Sequence, residues 1–217
     1  MMSVKLRKGK SAIIAAIMLM ALSIFFSTVP AASARQISPL QGMEVLRRSF
    51  SGITDFTAEI TQEKQIALLK KKIVVNGIIR FKKPDAFYME LYPPYASRLL
   101  LRDTSLAMFL PSENVRNNIV LPPEQSLRRW FAYLGRPVTS LPDGVEVHAE
   151  TRDKLTTLQI TPRQKGAVKE LRLTFLENGN LSRLVIEEQN RDRTVLNFRS
   201  MRKNVGLTEK DFRLETN

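Results

Sequence analysis

Hydrophobic and polar residues alternate with a period of two along most of the chain beyond Asp55. Phe56, Ala58 and Ile60, for example, are separated by polar residues, which is typical of a strand with one buried and one solvated face. Similar runs, bounded by turn residues such as Pro, Asp, Asn and Gly, predict about eleven strands. The predicted strands begin at Asp55 and continue with residues 73–81, 87–91, 97–102, 105–110, 114–121, 145–149, 155–161, 168–176, 181–189 and 193–201, with a last short strand around Phe212 and Leu214.

Two segments instead repeat their apolar residues with the period of an α-helix. The first covers residues 39–51 and follows Ser38-Pro39, a pair that suits a helix N-terminus. The second lies between two predicted strands and ends at Gly135. Its apolar face, at positions i, i+3, i+4 and i+7, consists of Leu127, Trp130, Phe131 and Leu134.

The balance of strands and helices predicts a mainly β (α+β) fold built on one large antiparallel sheet. Open sheets of that size curl, so every second residue of each strand faces a concave side that the two helices can cover. Several of the residues on this side are large or adaptable, including Phe81, Phe87, Met89 and Met108. They suit either an ordinary filled core, which the pattern alone favours, or a hollow that receives flexible apolar cargo. Periodicity does not separate the two.

The first 34 residues resemble a cleavable secretory signal. A basic start is followed by an apolar, uncharged run over residues 11–29, and Ala32-Ser33-Ala34 offers small residues for cleavage after Ala34. An uncleaved membrane anchor is the alternative, because the apolar run approaches the ~20 residues that span a bilayer. Either interpretation predicts that the functional part is exported. We expect a signal peptide over residues 1–34 and a single domain over residues 35–217.

The composition narrows the chemistry that this exported domain can perform. The chain contains no cysteine and one histidine, His148, which leaves little for nucleophilic catalysis or a zinc site. We therefore expect no enzyme, no cofactor and no metal. The formal net charge of +13 raises the question of nucleic acid, which export argues against. An anionic membrane, an acidic partner or a merely solvated surface are the open alternatives.

Four segments, in order along the chain, carry a resemblance to a known family. Residues 55–62 read DFTAEITQ, and residues 77–87 read GIIRFKKPDAF, with a Gly, a strand, two bases, a Pro and an aromatic residue. The turn at residues 178–181 with residues 188–190, and the segment 210–214, complete the set. Together they resemble the LolA family of periplasmic carriers of outer-membrane lipoproteins.

The resemblance implies a half-open β-barrel with a helical lid and a cavity that holds acyl chains. In the family an Arg directly before the Pro bonds to the lid, and here that position is Lys83, the expected lid gate. Lys lacks the planar fork of Arg, so its bond to the lid should be weaker or differently aimed. The expected cavity residues are Ile79, Phe81, Phe87, Met89, Leu91, Met108, Leu127, Trp130, Phe131 and Leu134.

The same resemblance implies a function and a set of partners. We expect a soluble, monomeric periplasmic protein that takes acylated lipoproteins or lipids from an inner-membrane ABC transporter of the LolCDE kind. It would deliver them to an outer-membrane acceptor of the LolB kind. Lys83 and the end of the chain soon after Leu214 keep two alternatives open. These are a carrier of another lipid or glycolipid, and a lipid-sensing regulatory domain of the same fold.

Overall fold

A computed structural model of the protein describes residues 34–164 and 166–214, which contain one 12-stranded antiparallel sheet and two α-helices. The predicted signal peptide lies outside the described residues, apart from Ala34. The helices are α1, Pro39–Phe50, and α2, Leu127–Leu134. The strands are β1, Arg35–Ile37; β2, Asp55–Ile66; β3, Lys71–Lys82; β4, Ala86–Leu91; β5, Ser97–Arg102; β6, Ser105–Leu110; β7, Val115–Val120; β8, Val145–Arg152; β9, Leu155–Pro162; β10, Val168–Phe175; β11, Leu181–Glu188; and β12, Arg193–Lys203.

The sheet is a series of hairpins with two long-range pairings, β12 with β2 and β1 with β8. Its strand order is β1-β8-β9-β10-β11-β12-β2-β3-β4-β5-β6-β7, so β12 pairs with β2, and β1 and β7 form the two free edges. The sheet is therefore not closed. The prediction of a mainly β fold, built on an open antiparallel sheet with two helices, is confirmed. Neither described helix is long and apolar enough to cross a bilayer.

Helix α1 begins where the sequence places it and packs closely on the sheet. The Ser38 hydroxyl accepts from the Gln41 amide at 3.2 Å, and the Gln41 side chain accepts from the Ser38 amide at 3.0 Å, a reciprocal cap. Met43 is fully buried. A Cβ added at Gly42 would lie 2.4 Å from the Ala149 Cβ, so glycine permits the close approach of α1 to β8.

At the ends of the domain, one prediction is wrong and one strand was missed. Residues Glu209–Phe212 form a short 3-10 helix rather than a strand, because the Asp211 carboxylate accepts from the Thr208 amide at 2.7 Å and closes a turn there. Phe212 is buried against the outer face of β4. Strand β1, which pairs with β8, was not predicted, since three residues are too short to establish a period.

The buried core lies mainly on the inner face of the sheet, in two clusters. One lies beneath α1 and α2 on strands β8 to β11, and the other lies on β2 to β4 with a contribution from β12. Pairing in β3 and β4 places Ile79 opposite Met89 and Phe81 opposite Phe87, so these side chains share the inner face. The filled part of the concave side is thus formed by strands that are distant in sequence.

Candidate functional site

The ten residues predicted to line a cavity divide into three groups in the structure. Four of them, Ile79, Phe81, Leu91 and Leu134, are buried members of the two core clusters. Four others are partly buried and pack against those clusters, namely Phe87, Met89, Trp130 and Phe131. Met108 and Leu127 are partly exposed and belong to neither cluster. The predicted set therefore spans a closed and an open region of the inner face.

In the closed region, aromatic rings connect the two helices with the sheet. Phe131 of α2 lies 4.7 Å from Phe81 and 5.8 Å from Phe50, measured between ring centroids. Phe56 completes the group, 5.2 Å from Phe81 and 6.3 Å from Phe50. Aromatic pairs of this kind contribute about 0.5–1.5 kcal/mol each beyond their buried area. The ring of Phe131 is therefore the principal contact that holds α2 against this part of the sheet.

Lys83 lies at the meeting point of α1, α2 and the sheet. Its Nζ donates to the carbonyl oxygen of Phe50, the last residue of α1, at 2.7 Å, and lies 5.7 Å from the ring centroid of Phe131. Burial lowers the pKa of the Lys83 amine, since a low dielectric disfavours the charged form. The residue predicted as lid gate thus contacts both helices, and its gating role stays a prediction.

The first turn of α2 is fixed to two turns at one end of the sheet. The Asp103 carboxylate accepts from the Ser126 hydroxyl at 2.5 Å and from the Arg128 amide at 3.2 Å, and these bonds lower the pKa of Asp103. The Arg128 guanidinium pairs with the Asp85 carboxylate, with its Nε at 2.9 Å. Helix α2 is therefore anchored by polar contacts at its N-terminus, while Phe131 and Leu134 pack its later part against the core clusters.

The open region is the inner face of β5, β6 and β7. One row across the strands pairs Phe87 with Leu101, Leu101 with Leu106, and Leu106 with Ile119. The leucines of this row are partly exposed, and Ile119 is 53% exposed. The helices therefore cover this apolar row only in part.

A second row lies beside the first. It pairs Met89 with Leu99, and Leu99 with Met108, and Leu99 and Met108 are both partly exposed. Leu99, Leu101, Leu106 and Ile119 were missed from the sequence. Residues 99–101 are all leucine and show no alternation, so the pattern does not identify which face of β5 is apolar. Counting positions outward from the Asp103-Thr104 turn would have placed them on the inner face.

The space beneath α1 is almost filled. A void of about 10 Å³ lies between Ser49, Phe50, Phe175 and Leu181, room for at most about one water molecule. Two larger depressions, of about 430 and 440 Å³, lie elsewhere. The first lies against α1 and combines charged residues such as Lys154 with apolar residues such as Leu155 and Leu176, and the second, which includes Gln159, is mainly polar. The incompletely covered apolar surface on strands β5 to β7 is therefore the best candidate for contact with an apolar ligand.

Groups for acid–base or metal chemistry are dispersed in the part of the chain that the structure describes. His148 lies exposed on β8, with its Nε2 3.0 Å from a carboxylate oxygen of Glu146. Within residues 34–164 and 166–214, His, Asp and Glu form no group of three or more in position to hold a metal ion.

Residues 51–215 match the family model described as "Outer membrane lipoprotein carrier protein LolA". No curated protein sequence matches the chain.

Solved structures with a similar fold include three from different bacteria. A LolA superfamily protein from Nitrosomonas europaea is 14% identical, with coverage of 82% of this chain and 98% of that one and a TM-score of 0.44. A putative outer membrane lipoprotein-sorting protein domain from Vibrio parahaemolyticus is 13% identical, with coverage of 81% and 97% and a TM-score of 0.41. The MucA/MucB complex of Pseudomonas aeruginosa is 10% identical, with coverage of 81% and 60% and a TM-score of 0.46.

Proposed function

The chain belongs to the LolA family of outer membrane lipoprotein carrier proteins, and on that premise we propose that it is a soluble periplasmic carrier. It shelters the acyl chains of lipoproteins on the inner face of its sheet and carries them from the inner to the outer membrane. Loading by an inner-membrane transporter of the LolCDE kind and release to an acceptor of the LolB kind complete the proposal.

The observation that carries this proposal is the pair of partly exposed apolar rows on strands β5 to β7. Leu99, Leu106 and Met108 present aliphatic surface, and the second row ends at Asn117 of β7, which pairs with Met108. Sheltering an acyl chain from water gains about 0.8 kcal/mol per methylene, roughly 12 kcal/mol for a fully covered sixteen-carbon chain. Since a gain of that size would make spontaneous release slow, a carrier needs the partners proposed above at both ends of its route.

The contacts of α2 support a lid that moves when cargo binds. Displacing Phe131 from Phe81 would extend the open rows into the closed region, because Phe87 and Met89 lie between the two regions in the sheet. The anchor at Asp103 holds only the first turn of α2. A rotation about that anchor therefore moves Phe131 with little disturbance of the sheet.

Binding of a fluorescent fatty-acyl probe to delipidated protein tests the proposal. Wild-type protein should bind the probe saturably, with one site or a few. Met108→Glu should weaken binding by at least about tenfold, because an unpaired carboxylate beside an acyl chain costs several kcal/mol. Met108 is partly exposed, so we expect little change in the thermal unfolding midpoint.

Val120→Glu is the matched control for this experiment. Val120 lies on β7, is 80% exposed, and pairs with Ser105 on the outer face, so the substitution adds the same charge outside the proposed site. Absence of saturable binding by the wild type, or equal effects of Met108→Glu and Val120→Glu, would contradict the proposal.

A second candidate is a carrier of another amphiphile, such as a glycolipid, and Lys83 in the position of the family's Arg favours it. An ammonium is a compact, strongly hydrated point charge, whereas guanidinium forms a planar fork. Mass spectrometry of molecules that copurify with the protein from the periplasm distinguishes the two. Recovery of acylated lipoprotein alone would exclude this second candidate.

A further inference from the structure

Four large side chains with apolar surface are exposed on two neighbouring turns at one end of the sheet. Leu68 and Leu69, in the β2–β3 turn, are 91% and 64% exposed, and Tyr92 and Tyr95, in the β4–β5 turn, are 44% and 47% exposed. We name these four residues the leucine–tyrosine rim. Scattered exposed apolar residues are ordinary, but a cluster on adjacent turns marks a surface that meets something apolar.

The two turns of the rim are held side by side by the order of the strands. β3 pairs with both β2 and β4, so the β2–β3 and β4–β5 turns project from the same end of the sheet. The Tyr92 amide donates to the Asn76 carbonyl at 2.9 Å, and the Lys71 Nζ lies 5.7 Å from the Tyr95 ring centroid. The rim therefore extends from Tyr92, level with Asn76 in β3, through Tyr95 to the β2–β3 turn, at the end of the sheet opposite the anchored turn of α2.

Positive charge accompanies the apolar side chains. Lys70, Lys71 and Lys72 follow Leu69 directly in the sequence. Lys72 pairs with Glu63 at 2.6 Å, while the Asp192 carboxylate accepts from the Ala67 amide at 2.9 Å and fixes the base of the turn. The charges nearest the tip are therefore those of Lys70 and Lys71.

We propose that the leucine–tyrosine rim docks the protein on the surface of an anionic phospholipid bilayer. Leu68 and Leu69 enter the boundary between headgroups and acyl chains, the tyrosines lie at the depth of the headgroups, and Lys70 and Lys71 contact lipid phosphates. Tyrosine and lysine beside exposed leucine is a combination typical of a membrane interface.

The shape of the rim favours a membrane over a folded protein partner. The leucines stand on the tip of a hairpin, and a projecting tip enters a fluid surface without needing a complementary pocket. This docking goes beyond the proposed carriage of lipoproteins and does not rest on it, because the rim lies outside the apolar rows of β5 to β7.

Flotation of the protein with vesicles tests the docking. Vesicles of phosphatidylcholine alone are compared with vesicles that contain one quarter phosphatidylglycerol. Wild-type protein should prefer the anionic vesicles, and added salt should weaken its binding, since screening shortens the reach of the lysine charges. The double variant Lys70→Ala/Lys71→Ala should bind about fivefold less tightly for each lysine removed, since each contributes ~1 kcal/mol near an anionic surface.

Substitution of the leucines tests their insertion. Leu68→Ser/Leu69→Ser should weaken vesicle binding by about tenfold or more, because it removes the inserted aliphatic surface. Leu176→Ser is the matched control, since Leu176 is 42% exposed in the β10–β11 turn at the other end of the sheet. The thermal unfolding midpoint of each variant confirms that it is folded.

Acyl-probe binding in solution separates docking from cargo binding. Leu68→Ser/Leu69→Ser should bind the probe as the wild type does, whereas Met108→Glu should still bind anionic vesicles. Equal binding of the wild type to both kinds of vesicle would overturn the docking proposal. Unchanged vesicle binding by the leucine variant, or loss of it in Met108→Glu alone, would overturn it also, because either result would assign vesicle binding to another surface.

Discussion

At the scale of single residues, Lys83 is the clearest point at which the closed arrangement can be tested. Lys83→Met removes the bond from Nζ to the Phe50 carbonyl, and a hydrogen bond to a charged group contributes about 1.5–3 kcal/mol. Because Lys83 is only partly buried, we expect the lower end of that range. If the acyl probe binds only with the lid open, the variant should bind it about tenfold more tightly.

Lys82 supplies the matched control for this prediction. Its Nζ donates to the Leu207 carbonyl at 2.8 Å on the other face of the sheet, so Lys82→Met removes a bond of the same kind away from the lid. Lys83→Arg, the residue of the family, should keep the bond to the lid and bind the probe no more tightly than the wild type. The idea fails if the probe titrations of Lys82→Met and Lys83→Met give the same affinity.

The sequence predicted the position of Lys83 but not its partner. The resemblance assigns a lid contact to the residue before Pro84, whereas the acceptor is a main-chain carbonyl, which no side-chain pattern identifies. Asp55 is a second case. Its buried carboxylate accepts from the Val205 amide at 2.7 Å, and a bond between residues so distant in sequence becomes visible only once β12 is known to lie beside β2.

At the scale of elements, α2 combines a predictable helix with an anchor that was not predictable. Its apolar period defined residues 127–134 correctly, because helix formation and burial of one face are local properties of the sequence. The anchor depends on Asp103, which occupies a turn at positive φ, 54°. That turn is separated from the helix by strands β6 and β7, so the pairing of Asp103 with α2 follows from the sheet and not from the helix.

The anchor of α2 should weaken when the pH falls into the acid range and should not change when the pH rises. Hydrogen bonds lower the pKa of Asp103, so its stabilising contribution is complete above the ordinary carboxyl pKa, about 4, and is lost as pH falls through the lowered folded value. Fluorescence of Trp130, the single tryptophan, should stay constant from pH 8 to about 5 and change below about 4. In Asp103→Asn, which tolerates positive φ and does not titrate, this transition should disappear. An unchanged transition would assign it to another group.

At the scale of the whole molecule, periodicity could not decide between a filled and a hollow concave side. Alternation predicts the face of the sheet on which a side chain lies. Whether that side chain is buried depends on the helices and strands that pack on that face. The structure fills the inner face beneath α1 and α2, where Met43 and Phe175 are fully buried, and leaves β5 to β7 incompletely covered. The filled core therefore applies beneath the helices, whereas a cargo site on β5 to β7 stays a prediction.

The C-terminal segment stabilises the molecule from the side opposite the proposed site. Phe212 is 2% exposed and packs with Ala86 and Tyr88 on the outer face, and the Arg80 guanidinium donates to the Asp211 carbonyl at 3.4 Å. Phe212→Ala should lower the free energy of unfolding by about 3–5 kcal/mol, measured by chemical denaturation. The inner face is untouched, so the folded variant should bind the acyl probe with wild-type affinity.

Phe109→Ala is the control that separates this effect from the loss of any phenylalanine on the outer face. Phe109 is partly exposed and stacks beneath the Arg116 guanidinium, 5.0 Å from its ring centroid, so its replacement should cost only about 1 kcal/mol, since partly exposed side chains lose less buried surface. Equal losses for the two variants would show that burial beneath the C-terminal segment is not what makes Phe212 important. A fall in probe affinity in Phe212→Ala would show instead that the outer face governs the inner one. The C-terminal segment and the apolar rows would then be coupled through the sheet. In that case, cargo binding would change the protection of the C-terminal segment from amide hydrogen exchange.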